Sequence, residues 1–163
     1  DAMVGYVGYT GRMETIKDKA LALHASGSNC AQSAYCAFAD SLGFDFVEAH
    51  RAATCLGAGL GRRQLVCGAV SGAAMALGQA LGNDSGSDLD AKERCYRVVG
   101  AFVERIEWEF GSSDCRTLLG LDLSTDEGRA ALKARNPSES VCNRIIARAV
   151  ELAEQAIAFE KAR

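Results

Sequence analysis

The chain has no run of alternating β-branched residues that could line one face of a strand; its apolar residues recur at helical spacing, in segments closed mostly by glycine. Residues 12–26, RMETIKDKALALHAS, set Met13, Ile16, Ala20 and Leu23 on one helical face and stop at Gly27. SNCAQSAYCAFADSLG opens on Ser28 or Asn29 as N-cap and closes at Gly43. A third helix is expected from Asp45 to about Leu56, where GAGLG interrupts, and a fourth from Cys67 to near Gly82. After the polar loop NDSGSD (83–88), a long amphipathic helix from about 89 to 110 aligns Tyr96, Val99, Phe102, Val103, Ile106 and Phe110. SSDCRTLLG reads as a short turn, and STDEGRAALKAR as a helix opened by a Ser124–Glu127 capping box. Beyond Pro137, the only proline, a last helix from roughly 139 to 162 turns Val141, Ile145, Ala149, Leu152 and Ile157 inward. The pattern predicts an all-α, single-domain bundle of about six to eight helices over residues 12–163, with glycine-rich residues 1–11 as a disordered lead-in. The alanine and glycine content of the second and fourth helices predicts a closely approaching central pair.

Charge and length narrow the function. The 163 residues, 48% of them apolar, suit one core of ordinary size. A net charge of −3 provides no basic field for nucleic acid and discourages anionic membranes. No stretch reaches the roughly 18 apolar residues of a spanning helix, and no basic region precedes an apolar block at the N-terminus. A cytoplasmic protein without membrane insertion is expected, with a periplasmic location open if a leader has been removed.

Seven cysteines is an odd number in a chain long enough to need no disulfides, which favours metal or redox work. Four of them fall on predicted first turns: Cys30 after its cap, Cys67 opening the fourth helix, Cys115 after SSD and Cys142 after PSES. Unpaired N–H groups and the helix dipole favour a thiolate there, and Arg62, Arg63, Arg116 and Arg144 lie within a few residues. A thiolate is therefore expected at all four. Cys36, Cys55 and Cys95 fall in helix interiors and read as core. Four thiolates in an electropositive cradle suit an iron–sulfur cluster, [2Fe–2S] or [4Fe–4S]. Zinc is the alternative ligand, although the wide spacing and lack of any CxxC differ from zinc knuckles. Gly59, Gly61, Arg63 and Gly68 are the candidates for contacting such a cofactor, since glycine lets backbone N–H groups approach an inorganic sulfide. A turn needing positive φ explains Gly57, Gly59 and Gly61 equally well, and Gly68 and Gly72, one turn apart, suit close helix packing. His24 and His50 are not taken as ligands; Glu104, Glu107 and Glu109 read as a solvated face.

Cys67-Gly68-Ala69-Val70-Ser71-Gly72 matches a CGAxxG signature, and SGSNCAQSAYCAFADSLG, FGSSDCRTLLGLDLSTDEGRAAL and VCNRIIARAVELAEQA flank it in order. Together these segments resemble the bacterial and archaeal four-cysteine redox-active family C_GCAxxG_C_C over about residues 12–155. The resemblance implies that Cys30, Cys67, Cys115 and Cys142 are the family's four cysteines. A further likeness to the cluster-bearing part of split-Soret cytochromes implies iron–sulfur ligation, whereas the lack of CxxCH excludes covalent haem. CLGAGLG departs from the more uniformly glycine-rich, aromatic-led turn of the family. The expected function is electron transfer or redox sensing with an unidentified redox partner protein, more a carrier than a self-contained enzyme. A thiol–disulfide oxidoreductase using low-pKa cysteines and a zinc-stabilised interaction module are the alternatives. Trp108 and other apolar residues on the long helix fit either a homodimer contact or core burial.

Overall fold

A computed structural model describes residues 12–137 and 140–163; the expected lead-in, residues 1–11, lies outside the described residues. The helices run α1 (Ile16–Ala25), α2 (Cys30–Cys36), α3 (Ala39–Leu42), α4 (Phe46–Ala53), the single turn α5 (Gly57–Leu60), α6 (Gly68–Leu81), α7 (Leu89–Phe110), α8 (Cys115–Leu119), α9 (Asp126–Ala134) and α10 (Val141–Lys161). The fold is all-α, as the periodicity predicts. Among the described residues there is no strand, only one antiparallel bridge between Val66 and Asp114. No described helix is long and apolar enough to cross a membrane.

Local hydrogen bonding corrects several expected boundaries. α1 starts at Ile16 because Thr15 and Asp18 form a reciprocal capping box, each side chain accepting the other's N–H at 3.0 Å, and Met13 is left exposed. The helix expected over 28–43 breaks after Cys36, where Phe38 N–H tightens onto Tyr35 O (3.1 Å) and the Phe38 ring is buried. The Ser124–Glu127 box does not form: Asp122 captures the Ser124 hydroxyl (2.6 Å), and Thr125 caps α9 by accepting from Gly128 N–H (2.9 Å). SSDCRTLLG, expected as a turn, carries the short helix α8, capped by Asp114.

α6 occupies the centre, against α2 on one side and α10 and α7 on the others. Its contact with α2 is backbone on backbone. An added Cβ at Gly72 would stand 2.4 Å from the Ala31 carbonyl oxygen, and Ala31, Ala34, Ala69, Ala73 and Ala76 are fully buried around this seam. Bulk comes from Phe38, Leu77, Ile106, Ile145 and Ile146, each fully buried. Burying such a side chain stabilises a fold by about 1.5–3 kcal/mol. Tyr96 and Trp108 on α7 are 65% and 78% exposed, so core burial does not account for them.

A charged chain joins α7, α10 and α1. Arg148 forks onto Glu109 at 2.7 and 2.8 Å, Arg105 adds a third contact at 2.6 Å, and Glu151 carries the chain from Arg148 to Lys17 (2.7 Å). Glu109, expected on a solvated face, is thus the hub that clamps two helices. The hydrogen bonds from Arg148 and then Arg105 pull its carboxyl down to about 2.

Three outcomes are expected. Gly72→Ala should destabilise the fold by about 1–3 kcal/mol in thermal or denaturant unfolding, because α2 has no room to retreat. Gly78→Ala, on the same helix with nothing within 4 Å of the new Cβ, should stabilise it by up to about 1 kcal/mol. For Glu109 the folded pKa lies below the unfolded value of about 4.3, so its contribution is complete above that pH and disappears as pH falls through about 2. The stability deficit of Glu109→Gln, measured by urea unfolding, should therefore be present at neutral pH and vanish across that acidic window.

Candidate functional site

Each of the four first-turn cysteines sits where the sequence analysis expects, but different local devices hold them. Cys30 is the first residue of α2, behind a cap in which Asn29 and Gln32 each accept the other's N–H at 2.9 Å. The Gln32 amide also donates to Thr54 Oγ1 (2.8 Å) and His50 O (3.0 Å), and meets His50 Nδ1 at 3.2 Å. His50 Nε2 then pairs with Ser28 Oγ (3.0 Å), making His50 a strut beneath this turn. Cys67 is itself the N-cap of α6. Cys115 opens α8, and Cys142 is the second residue of α10, capped by Ser140.

The bridge at Val66 and Asp114 aligns two of them. Cys67 N–H donates to Ser113 O (2.8 Å) and Cys115 N–H to Leu65 O (2.7 Å), a short antiparallel contact that sets the two cysteines side by side. All four then line one cavity of about 200 Å³, closed by Ala58, Gly68, Leu118, Leu119, Leu123, Leu132, Val141 and Ile145. Among the described residues no three His, Cys, Asp or Glu side chains close on a single metal-ion position. Cys36, Cys55 and Cys95 do not line the cavity. Only Cys36 among them is buried. Cys55 is exposed, because α4 ends at Ala53 and a tighter turn swings it outward, and Cys95 is half-buried on α7.

The expected thiolate is corrected at three of the four positions: burial outweighs the helix ends at Cys67 and Cys115, and at Cys30 the hydrogen bond to Cys142 does so ahead of burial, whereas Cys142 keeps a lowered pKa. Burial pushes Cys67 up against the opposing pull of the Ala69 and Val70 N–H groups, and pushes Cys115 up to about 11. Cys30 donates to Cys142 and rises strongly, through that hydrogen bond first and burial second. Cys142 alone is lowered, to about 7, by the Cys30 hydrogen bond, with Ser140 and the charge of Arg135 assisting. The cation that acts on Cys142 is Arg135, and not its sequence neighbour Arg144.

Of the proposed cofactor contacts, Gly68 lines the cavity, where an added Cβ would stand 3.1 Å from both Ala31 N and Cys30 Cβ. Gly59 is buried below the preceding turn, with φ of 66° and no room for a Cβ, which would lie 2.5 Å from Leu65 N. Gly61 and Arg63 are exposed on that turn and do not line the cavity. The turn is unusual in its non-glycine residues: Ala58, Leu60, Arg62 and Gln64 all adopt positive φ. Left-handed backbone costs such residues about 1–2 kcal/mol each, so other contacts must hold the turn.

Gln64 supplies them. Its side chain is 1% exposed, its amide donates to Leu121 O (2.8 Å) and toward the Cys115 sulfur, and its oxygen accepts Leu123 N–H (2.8 Å). It ties the glycine turn to the cavity wall. A lone glutamine between an arginine and a leucine has no spacing signature. His24 also lines the cavity; its Nδ1 donates to Asn143 Oδ1 (2.7 Å), an orientation set by Asn143 Nδ2 donating to Pro137 O (2.9 Å). Asn143 lies 119 residues further along the chain, and no local pattern links the two.

Fold and site define a class, an all-helical protein whose first-turn cysteines gather around one apolar cavity. The family model described as "Putative redox-active protein (C_GCAxxG_C_C)" matches residues 28–156, and the chain belongs to that family. Neither the curated proteins nor the solved structures contain a match.

Gln64→Met keeps the bulk but strands Leu121 O and Leu123 N–H. A loss of about 1–3 kcal/mol per stranded group is expected. Hydrogen exchange at the Leu123 amide should accelerate accordingly.

Proposed function

We propose that this protein carries an iron–sulfur cluster on Cys30, Cys67, Cys115 and Cys142 and works in electron transfer or redox sensing. The observation that carries this reading is the convergence of four cysteines, from the starts of four separate helices, on one cavity. The donor set fits: cysteine thiolates are the usual ligands of such clusters, and the four cysteines line one cavity with no close CxxC pair of the kind zinc knuckles use. Ligation also accounts for why burial can raise these thiols without harm, since a coordinated sulfur is deprotonated outright. When bound, the cluster supplies one-electron chemistry. The chain's residues supply the rest: Leu118, Leu119, Leu123 and Ile145 exclude water, while Gln64 and the Ala69 and Val70 N–H groups set hydrogen bonding to sulfur and hence the potential. A reducing, cytoplasmic compartment suits seven unpaired cysteines.

Anaerobic reconstitution with iron and sulfide tests this. The expected result is broad visible charge-transfer absorption that bleaches with dithionite, lost on Cys→Ser at positions 30, 67, 115 or 142 and kept on Cys→Ser at 36, 55 or 95. A colourless protein with stoichiometric zinc, or equal loss from both groups, overturns the reading.

One feature favours a second reading: Cys30 and Cys142 line the same cavity and shift each other's titration in opposite directions. In thiol–disulfide exchange, Cys142 would attack a substrate disulfide and release one thiol. Cys30 would then displace the second thiol, leaving a Cys30–Cys142 disulfide. Full disulfide-reductase turnover by a Cys67→Ser, Cys115→Ser double variant, with a dithiol supplied to reduce the Cys30–Cys142 disulfide after each cycle, would favour this reading over the cluster.

A further inference from the structure

A second, open cleft of about 570 Å³ lies against the cysteine cavity, and Ala58, Leu123 and Leu132 line both spaces. One layer of side chains separates them. The rest of the cleft is lined by Arg62, Arg129, Ala130 and Lys133, three cations and no acid, in a chain whose net charge is −3. Arg129 is engaged, donating to Leu123 O (2.9 Å) and pairing with Asp126. Arg62 and Lys133 are exposed and make no ion pair among the described residues. The left-handed turn that Gln64 locks from below fixes where the Arg62 backbone stands. Among the described residues no buried side-chain polar atom lacks a partner, so no buried donor in the cleft awaits a small anion. Its charges stand on long side chains at an open rim, an arrangement that steers an acidic protein surface.

We propose that this cleft is the docking face for an acidic one-electron carrier protein, an inference that rests on the cluster reading above. The reduced carrier would give one electron across the Ala58, Leu123 and Leu132 layer. It would leave oxidised by one electron, with the cysteine-held centre reduced by one and no bond made or broken.

The test uses the reconstituted full chain with a plant-type acidic [2Fe–2S] ferredoxin as probe and a basic c-type cytochrome as the opposite arm. Calorimetric binding of the oxidised ferredoxin should weaken steeply with added salt and fall about tenfold or more in Arg62→Glu, Lys133→Glu. Lys161→Glu, at the end of α10, should leave it unchanged. Stopped-flow reduction by the reduced ferredoxin should slow by a similar factor in the double variant. Both replaced side chains are exposed and unpaired, and matching circular dichroism confirms that the variant folds. Salt-insensitive or absent ferredoxin binding, equal loss with Lys161→Glu, or preference for the basic cytochrome overturns the proposal. Binding is read independently of colour, so a coloured protein that ignores ferredoxin sinks the docking face alone. A colourless protein that binds it sinks the cluster reading, and with it the electron-carrier role of the face.

Discussion

The backbone contact between α2 and α6 is the constraint on which the rest of the molecule depends. Gly72 lets the two helices approach until a Cβ would collide with the Ala31 carbonyl, and Gly68 repeats the approach one turn earlier beside Cys30. At that spacing the first turn of α2 and the N-cap of α6 share one end of the bundle, so Cys30 and Cys67 meet there. α10 packs on α6 and presents Cys142 at the same end, and the Val66–Asp114 bridge brings Cys115 alongside Cys67. The cavity is what remains where these four chain segments start.

Two opposing effects then act on the sulfurs. Helix starts and nearby cations favour charge, whereas an apolar enclosure penalises it; the enclosure prevails at Cys67 and Cys115, and at Cys30 it adds to the hydrogen bond with Cys142. On the proposed cluster reading, three thiols held protonated in the empty site would give up their protons on ligation, coupling metal binding to proton release. The wall that sets this burial would matter as much as the sulfurs. Leu123 and Leu132 belong to a small apolar cluster apart from the main core, tied down by Gln64 and by the hydrogen bond from Arg129.

Much of the fold was legible along the chain. The long helices α7 and α10, the central pair and the first-turn placement of the four cysteines all follow from periodicity, caps and small residues. The errors have local causes. Asp122 competes for Ser124 and moves a cap by one residue; a tight turn after Ala53 exposes Cys55 where a continuous helix would have buried it. Glu109 reads as one acid among several on α7 until α10 brings Arg148 to it. Along the chain His24 is set aside as a ligand and Gln64 is not singled out, because their partners, Asn143 and the 121–123 segment, are distant in sequence.

By itself, the sequence determined which residues start helices and therefore which sulfurs stand at the ends of dipoles, because capping and periodicity are properties of neighbouring residues. Only the tertiary structure decided that these ends face one another, that burial outweighs the dipoles, and that a basic cleft backs onto the same wall. Burial and convergence depend on chain segments separated by tens of residues. Their energies arise only when packing excludes water between them.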